Sequence, residues 1–173
     1  MDLKNYIAAI QDYPIEGVLF RDVTPLLQNG EAFQYACDQI AAYAEELGAD
    51  LIVGAESRGF LFGMPLAYNL NKAFVPVRKK GKLPAETISE SYNLEYGQAT
   101  LEIHKDAIKP GQKVVIIDDL IATGGTLEAI IKLVERLGGI VVKVCCLIDL
   151  PDLGGKEKIK EYDVETVIAF EGK

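Results

Sequence analysis

No stretch of this sequence stays apolar long enough to span a bilayer, so no membrane-crossing helix is expected. Positive charge is scarce: 18 Lys and Arg stand against 26 Asp and Glu, a net charge of −8. That balance argues against a nucleic-acid or anionic-membrane partner, either of which needs a basic face. Cysteines are few and odd in number, three in all, and Cys145 and Cys146 are neighbours in an apolar run. Those two point to opposite faces of a strand and Cys37 falls on a helix, so all three are expected buried and reduced, in a cytoplasmic protein. The opening Met1-Asp2-Leu3-Lys4 lacks the pattern of a signal peptide. Histidine occurs once, as His104 on the polar face of an alternating segment, which places it at the surface and outside any chemistry. Repeats and low-complexity tracts are absent too.

What is present is an ordinary globular balance, 49% apolar and 25% charged over 173 residues, enough for one domain with a sizeable core. One stretch organises it. Val114-Val115-Ile116-Ile117 follows the Pro110-Gly111 turn and reads as a strand buried on both faces. It ends in Asp118 and Asp119, then runs through Leu120-Ile121-Ala122-Thr123-Gly124-Gly125-Thr126 into a new periodicity. Leu127, Ile130, Ile131, Val134 and Leu137 fall at helical spacing, and Gly138-Gly139 stops the helix.

A strand, an acidic tip, a Gly-Thr loop and a helix form a phosphate-binding device. Gly124 and Gly125 lack a Cβ, so the backbone can turn sharply and aim several N–H groups at one anion. The following helix adds unpaired amides and the positive end of its dipole, and Thr123 and Thr126 add hydroxyl donors. Two familiar devices are excluded. No Lys follows either glycine, as the Walker pattern requires, and the spacing does not fit the dinucleotide fingerprint. The acidic pair would repel a triphosphate, so it must face sugar hydroxyls, a metal or a developing cation.

Around this motif the chain alternates strand and helix. A short amphipathic helix is expected over Asp2–Ile10, and a second helix over Glu31–Leu47 with Phe33, Cys37, Ile40, Ala44 and Leu47 inward. Leu51-Ile52-Val53 is a buried strand, followed by a helix from Phe60 to Leu70 whose apolar surface predicts that it is sandwiched. Ala73–Val77 is the next strand. Between about 81 and 106 the rhythm breaks. Ala99, Leu101 and Ile103 alternate with Thr100, Glu102 and His104, the mark of a half-exposed antiparallel hairpin. Ile140–Leu150 and Val164–Phe170 complete the strands, with a short polar helix from Gly154 to Tyr162 between them. The expected fold is α/β: a central, mostly parallel twisted sheet with helices on both faces, plus an antiparallel hairpin lid and an N-terminal arm.

The run from Val114 to Thr126 resembles the phosphoribosyl pyrophosphate signature of the type I phosphoribosyltransferases. Gly17-Val18-Leu19-Phe20-Arg21-Asp22, Ser57-Arg58-Gly59-Phe60-Leu61-Phe62-Gly63, Arg78-Lys79-Lys80-Gly81-Lys82-Leu83-Pro84 and Tyr92-Asn93-Leu94-Glu95-Tyr96-Gly97 narrow the resemblance. Together, in order and over nearly the whole chain, they are similar to the adenine-specific branch of that family. The resemblance implies a single domain over 1–173, whose N-terminal arm (about 1–25) and hairpin (about 81–106) cover the active site.

It also implies the chemistry: adenine and 5-phosphoribosyl 1-pyrophosphate are converted to AMP and pyrophosphate in purine salvage. Binding of phosphoribosyl pyrophosphate falls to Ser57, Arg58, Arg78, Lys79, Lys82, Asp118, Asp119, Ala122, Thr123, Gly124, Gly125 and Thr126. Glu95, Asp118 and Asp119 are the implied catalytic residues, Leu19, Phe20 and Arg21 the adenine pocket, and Tyr96 part of the lid. Magnesium is the implied cofactor, held mainly by substrate and without a direct protein ligand, through water to Asp118 and Asp119. A homodimer is implied as well, and a non-proline cis peptide at Glu56–Ser57. Glu56 departs from expectation by placing an extra acid near pyrophosphate.

Two alternatives stay open at this stage. One is a phosphoribosyltransferase for xanthine, hypoxanthine, guanine or orotate, which shares the acidic loop. The other is a non-catalytic sensor of phosphoribosyl pyrophosphate, although neither a spare segment for a DNA-binding domain nor a basic face is evident.

Overall fold

The computed structural model describes residues 1–94 and 97–172. A 3-10 turn (Leu3–Tyr6) leads into strands β1 (Ala8–Gln11) and β2 (Leu19–Asp22), then helices α1 (Thr24–Leu27) and α2 (Gly30–Ala44). Next come β3 (Leu51–Ala55), α3 (Arg58–Leu70), β4 (Ala73–Lys79) and the hairpin strands β5 (Thr87–Leu94) and β6 (Gly97–His104). The remainder is β7 (Lys113–Ile121), α4 (Gly125–Arg136), β8 (Ile140–Asp149), a 3-10 turn (Pro151–Leu153), α5 (Gly155–Lys158) and β9 (Val164–Ala169).

Seven strands form one sheet in the order β5-β6-β4-β3-β7-β8-β9. The five from β4 to β9 run parallel, whereas β6 lies antiparallel on β4 and β5 antiparallel on β6. This is the α/β architecture expected from the alternating pattern. The four-residue run at the start of β7 explains why both faces need helices. Val114 and Ile116 join the core beneath α4, and Val115 and Ile117 join the core beneath α2 and α3. All four are completely buried, which is worth about 1.5–3 kcal/mol for each side chain.

Topology then positions the site. From β3 the chain crosses through α3 to β4 on one side; from β7 it crosses through α4 to β8 on the other. The carboxyl ends of β3 and β7 are therefore the switch point, where diverging connections leave a crevice. The first turn of α3 comes very close to the end of β7. A Cβ at Gly59 would stand 3.0 Å from Asp118 Oδ1 and 3.3 Å from the Ile117 carbonyl oxygen.

Several expectations are corrected. The N-terminal helix over Asp2–Ile10 is instead a 3-10 turn and a strand, Ala8–Gln11, which pairs with Leu19–Asp22 as a separate two-stranded sheet. A helix of so few residues is marginal on its own hydrogen bonds, so pairing between the strands decides the outcome. The short helix α1 was not anticipated; Asp22 holds its start by accepting from the Thr24 amide (3.0 Å) and hydroxyl (2.7 Å). In α2 the buried positions are Ala32, Ala36, Ile40, Ala41 and Ala44, while Phe33 and Cys37 lie at the margin and Leu47 falls beyond the helix end. Small residues let that helix sit close to the sheet.

The helix expected to be sandwiched is not: Leu61, Met64 and Tyr68 on α3 are exposed, Tyr68 by 88%. Cys145 and Cys146 lie in opposite cores and Cys37 is half-buried, and none of the three forms a disulfide. Burial pushes the Cys145 thiol up to about 12, which leaves it inert. The Glu56–Ser57 peptide is cis, as the resemblance implies. No helix among the described residues is long and apolar enough to cross a membrane.

Candidate active site

Where β7 ends, Ala122 to Gly124 form a tight loop into α4. Gly124 takes a left-handed conformation (φ 87°) at the N-cap, and a Cβ there would stand 3.0 Å from the Gly155 carbonyl oxygen. Only glycine satisfies both demands. Glu128 donates the first helical hydrogen bond, to the Gly124 carbonyl (2.9 Å), so the amides of Gly125, Thr126 and Leu127 have no partner within the helix. Thr123 is exposed on the loop and Thr126 half-buried in the first turn.

Two hollows open at the switch point, of about 170 Å³ and 300 Å³. The smaller is walled by the loop from Ala122 to Leu127; the larger reaches across to Glu56, Ser57, Lys79 and Tyr92. Both share Arg58, Asp118, Asp119 and Thr126. The cleft thus has two lobes, each offering donors to an anion, with two carboxylates on the wall between them.

The shared wall is tightly wired. Arg58 Nε donates to Asp119 Oδ2 at 2.7 Å, and Asp119 is 5% exposed. The Asp119 amide donates to Asp118 Oδ1 at 2.8 Å. Loss of water and the neighbouring Asp119 charge push the Asp118 carboxyl well above its usual range, while the Asp119 amide and Arg58 pull it partly back. The folded chain therefore holds a proton on Asp118 more tightly than the unfolded chain. Stability must fall as pH rises from the ordinary carboxylate value of 3.8 through the raised one. Asp118→Asn removes that penalty yet keeps an oxygen for the Asp119 amide. The variant is expected to melt higher than the parent at neutral pH, the difference vanishing below pH 3.8, as a pair of thermal unfolding series would reveal.

Glu56 has a role that its charge alone did not suggest. Its side chain is only 6% exposed, and its carboxylate accepts from Arg78 Nε (3.1 Å), the Lys79 amide (2.8 Å) and Lys82 Nζ (2.9 Å). Burial would push this carboxyl up, but the hydrogen bonds from Lys82 and the Lys79 amide and the charges of Lys82 and Arg78 outweigh it and hold it below its usual value. Rather than opposing an anion freely, Glu56 clamps the basic loop at the end of β4.

Of the residues singled out from sequence, the structure brings Ser57, Arg58, Lys79, Asp118, Asp119 and the loop from Ala122 to Thr126 onto the cleft walls. Arg78 and Lys82 do not line it; both are bound to Glu56. Phe20 meets the cleft through Arg58, whose guanidinium lies 5.2 Å from its ring centre. Arg21 is stacked over Phe170 at 4.2 Å, and its Nε is buried without a partner among the described residues. Leu19 is half-buried in β2, paired with Gln11. His104 lies apart from the cleft and accepts from the Ala85 amide at 3.4 Å. Glu95 and Tyr96 lie outside the described residues.

Comparison with known proteins agrees with this geometry. The family model "Phosphoribosyl transferase domain" matches residues 26–172. An adenine phosphoribosyltransferase from Lachnoclostridium phytofermentans is 60% identical over 171 residues, covering 99% of this chain and 98% of its own. The chain belongs to the adenine phosphoribosyltransferase family. A crystal structure of such an enzyme from Thermoanaerobacter pseudethanolicus superposes with a TM-score of 0.95 at 53% identity, covering 97% of this chain and 98% of its own. Another, from Saccharomyces cerevisiae, was solved with D-2,5-dideoxy-2,5-imino-altritol 1,6-bisphosphate and adenine; its TM-score is 0.91 at 42% identity, covering 95% and 96%.

Within this phosphoribosyltransferase, two contributors escaped the sequence reading. Tyr92 opens the hairpin motif that narrows the resemblance but was given no role of its own, yet it reaches the first turn of α4. Gly155 sits beneath the phosphate loop, where a Cβ would come within 2.5 Å of the Ala122 carbonyl oxygen, too close for any other residue. The Gly154-Gly155 pair was the available hint.

Proposed function

We propose that this enzyme transfers the phosphoribosyl group of 5-phosphoribosyl 1-pyrophosphate to adenine, giving AMP and pyrophosphate. The single observation that carries this reading is the two-lobed cleft with Asp118 and Asp119 on its dividing wall. A substrate with a phosphate at each end and a sugar between matches that arrangement. In this reading the 5′-phosphate takes the amides of Gly125 and Thr126 and the hydroxyls of Thr123 and Thr126. Pyrophosphate takes the amides at Ser57 and Arg58, the Arg58 guanidinium and Lys79. Arg78 and Lys82 add charge to that lobe while Glu56 keeps their loop in place.

The bond from C1′ to pyrophosphate breaks ahead of attack, so positive charge builds on the ribose. Asp118 and Asp119 sit beneath the sugar and favour the charged transition state over the neutral ground state. Glu95 accepts the proton released by the attacking adenine nitrogen. Phe20 packs on the adenine ring, with Leu19 and Arg21 completing its pocket. Among the described residues, no group of three or more His, Cys, Asp or Glu is placed to hold a metal ion. Two adjacent carboxylates suit a magnesium ion that arrives with its substrate, Asp118 and Asp119 accepting from its waters. Bound there, magnesium would neutralise charge on the pyrophosphate leaving group.

The whole of residues 1–173 is read as one domain, with the arm (about 1–25) and hairpin (about 81–106) as covers of the cleft. A homodimer fits the exposed Leu61, Met64 and Tyr68 on α3, a run of apolar surface left open among the described residues. Three cysteines without a disulfide fit a reducing cytoplasm.

Nucleotide formation measured with adenine, hypoxanthine, guanine and xanthine in turn tests the reaction. Adenine alone should give efficient turnover. Preference for a 6-oxopurine would overturn the specificity, and no turnover with any base would favour a sensor. Thr123→Val should weaken phosphoribosyl pyrophosphate binding by about 1–3 kcal/mol, because one phosphate oxygen loses its donor. Titration calorimetry on the variant checks this.

A further inference from the structure

We propose that Tyr92 is a positioning residue for the 5′-phosphate: its phenol donates to the Thr126 hydroxyl and so frees that hydroxyl's only proton for the anion. The Tyr92 and Thr126 oxygens lie 2.9 Å apart, a contact that joins the hairpin to the first turn of α4. Thr126 lines both lobes, and Tyr92 stands beside it on the wall of the larger one. The tyrosine is held firmly. Its ring covers Gly125, where a Cβ would stand 3.2 Å from a ring carbon, and it packs against the core beneath α4. Arg136 of α4 ties the same strand down, donating to the Ser89 carbonyl and, at 3.1 Å, to the Glu90 carboxylate.

A hydroxyl has one proton and two lone pairs, so the geometry alone lets either oxygen donate. A phosphate oxygen removes that freedom, because an ionised phosphate only accepts. Thr126 must then donate to the phosphate, which requires Tyr92 to donate to Thr126. The phenol is the more acidic of the two and the better donor, and aligned O–H groups polarise one another. Tyr92 thus acts through Thr126, at a distance from the reacting atoms. The inference rests on the reading of Thr126 as a 5′-phosphate ligand.

Titration calorimetry of the full chain with ribose 5-phosphate and, separately, with pyrophosphate tests it. Tyr92→Phe keeps the ring on Gly125 and removes only the hydroxyl. It should weaken ribose 5-phosphate roughly 3- to 10-fold and leave pyrophosphate unchanged. In a Thr126→Ala background the same change should have no further effect, the sign of a coupled pair. Three results would overturn the proposal. Tyr92→Phe could bind ribose 5-phosphate like the parent, weaken both ligands equally as a displaced hairpin would, or lose as much affinity with alanine at 126 as without it. If Thr126→Ala itself leaves ribose 5-phosphate binding intact, the reading of Thr126 fails, and this inference with it. If Thr126→Ala weakens binding and Tyr92→Phe does not, only the role of Tyr92 fails.

Discussion

Replacing Asp118 and Asp119 together by asparagine should lower kcat by about 10²–10³-fold, the range found when a preorganised electrostatic group is lost, while KM for adenine changes little. The two carboxylates stand on the wall shared by both lobes, where the proposed reading puts the ribose. Their charge matters most when C1′ becomes positive, so its loss is felt in the transition state and not in base binding. The single variants sharpen the test. Asp119→Asn also deprives Arg58 of the carboxylate at 2.7 Å and so disturbs the pyrophosphate lobe. Asp118→Asn has no such side effect, and steady-state kinetics on it isolates the charge. The same variant is expected to be more stable than the parent at neutral pH. Slower and more stable together would mark a carboxylate kept for catalysis at the expense of folding.

Glu95→Gln should cost about 10²–10⁴ in kcat, the usual contribution of a positioned general base. Glutamine preserves size and hydrogen bonding but cannot take the proton from adenine. The acidic limb of the pH–rate profile, set by the base becoming protonated, should flatten in the variant. A profile that keeps its acidic limb with a near-parental rate would assign the proton to another group.

The core of the fold was legible because β7 and α4 carry strong, uninterrupted patterns. A buried apolar run, two acids, a Gly-Thr loop and a helical stripe leave few alternatives, and the structure places them in that order. Legibility faded where local pattern and tertiary pairing disagree. Leu3, Ile7 and Ile10 have helical spacing, yet Ala8–Gln11 pairs with Leu19–Asp22 through contacts no local window contains. On α3, apolar composition says which residues can be buried, not what covers them; Leu61, Met64 and Tyr68 are left bare among the described residues.

The same contrast holds in the site. Ser57, Arg58, Lys79, Asp118, Asp119 and the loop from Ala122 to Thr126 could be picked out as cleft residues because contiguous motifs follow parallel strands to one sheet edge. Glu56 read as a disturbing acid because its three donors come from residues 78 to 82, 22 or more positions away. Tyr92 was quoted only as part of a motif, and its role was hidden for the same reason, its partner Thr126 lying 34 residues on.

A crystal structure of the protein with phosphoribosyl pyrophosphate and magnesium tests the site most directly. The 5′-phosphate should lie against the amides of Gly125 and Thr126, the pyrophosphate against Arg58 and Lys79, and the ribose hydroxyls over Asp118 and Asp119. A ribose turned away from those carboxylates, or a 5′-phosphate outside the loop from Ala122 to Thr126, would contradict it.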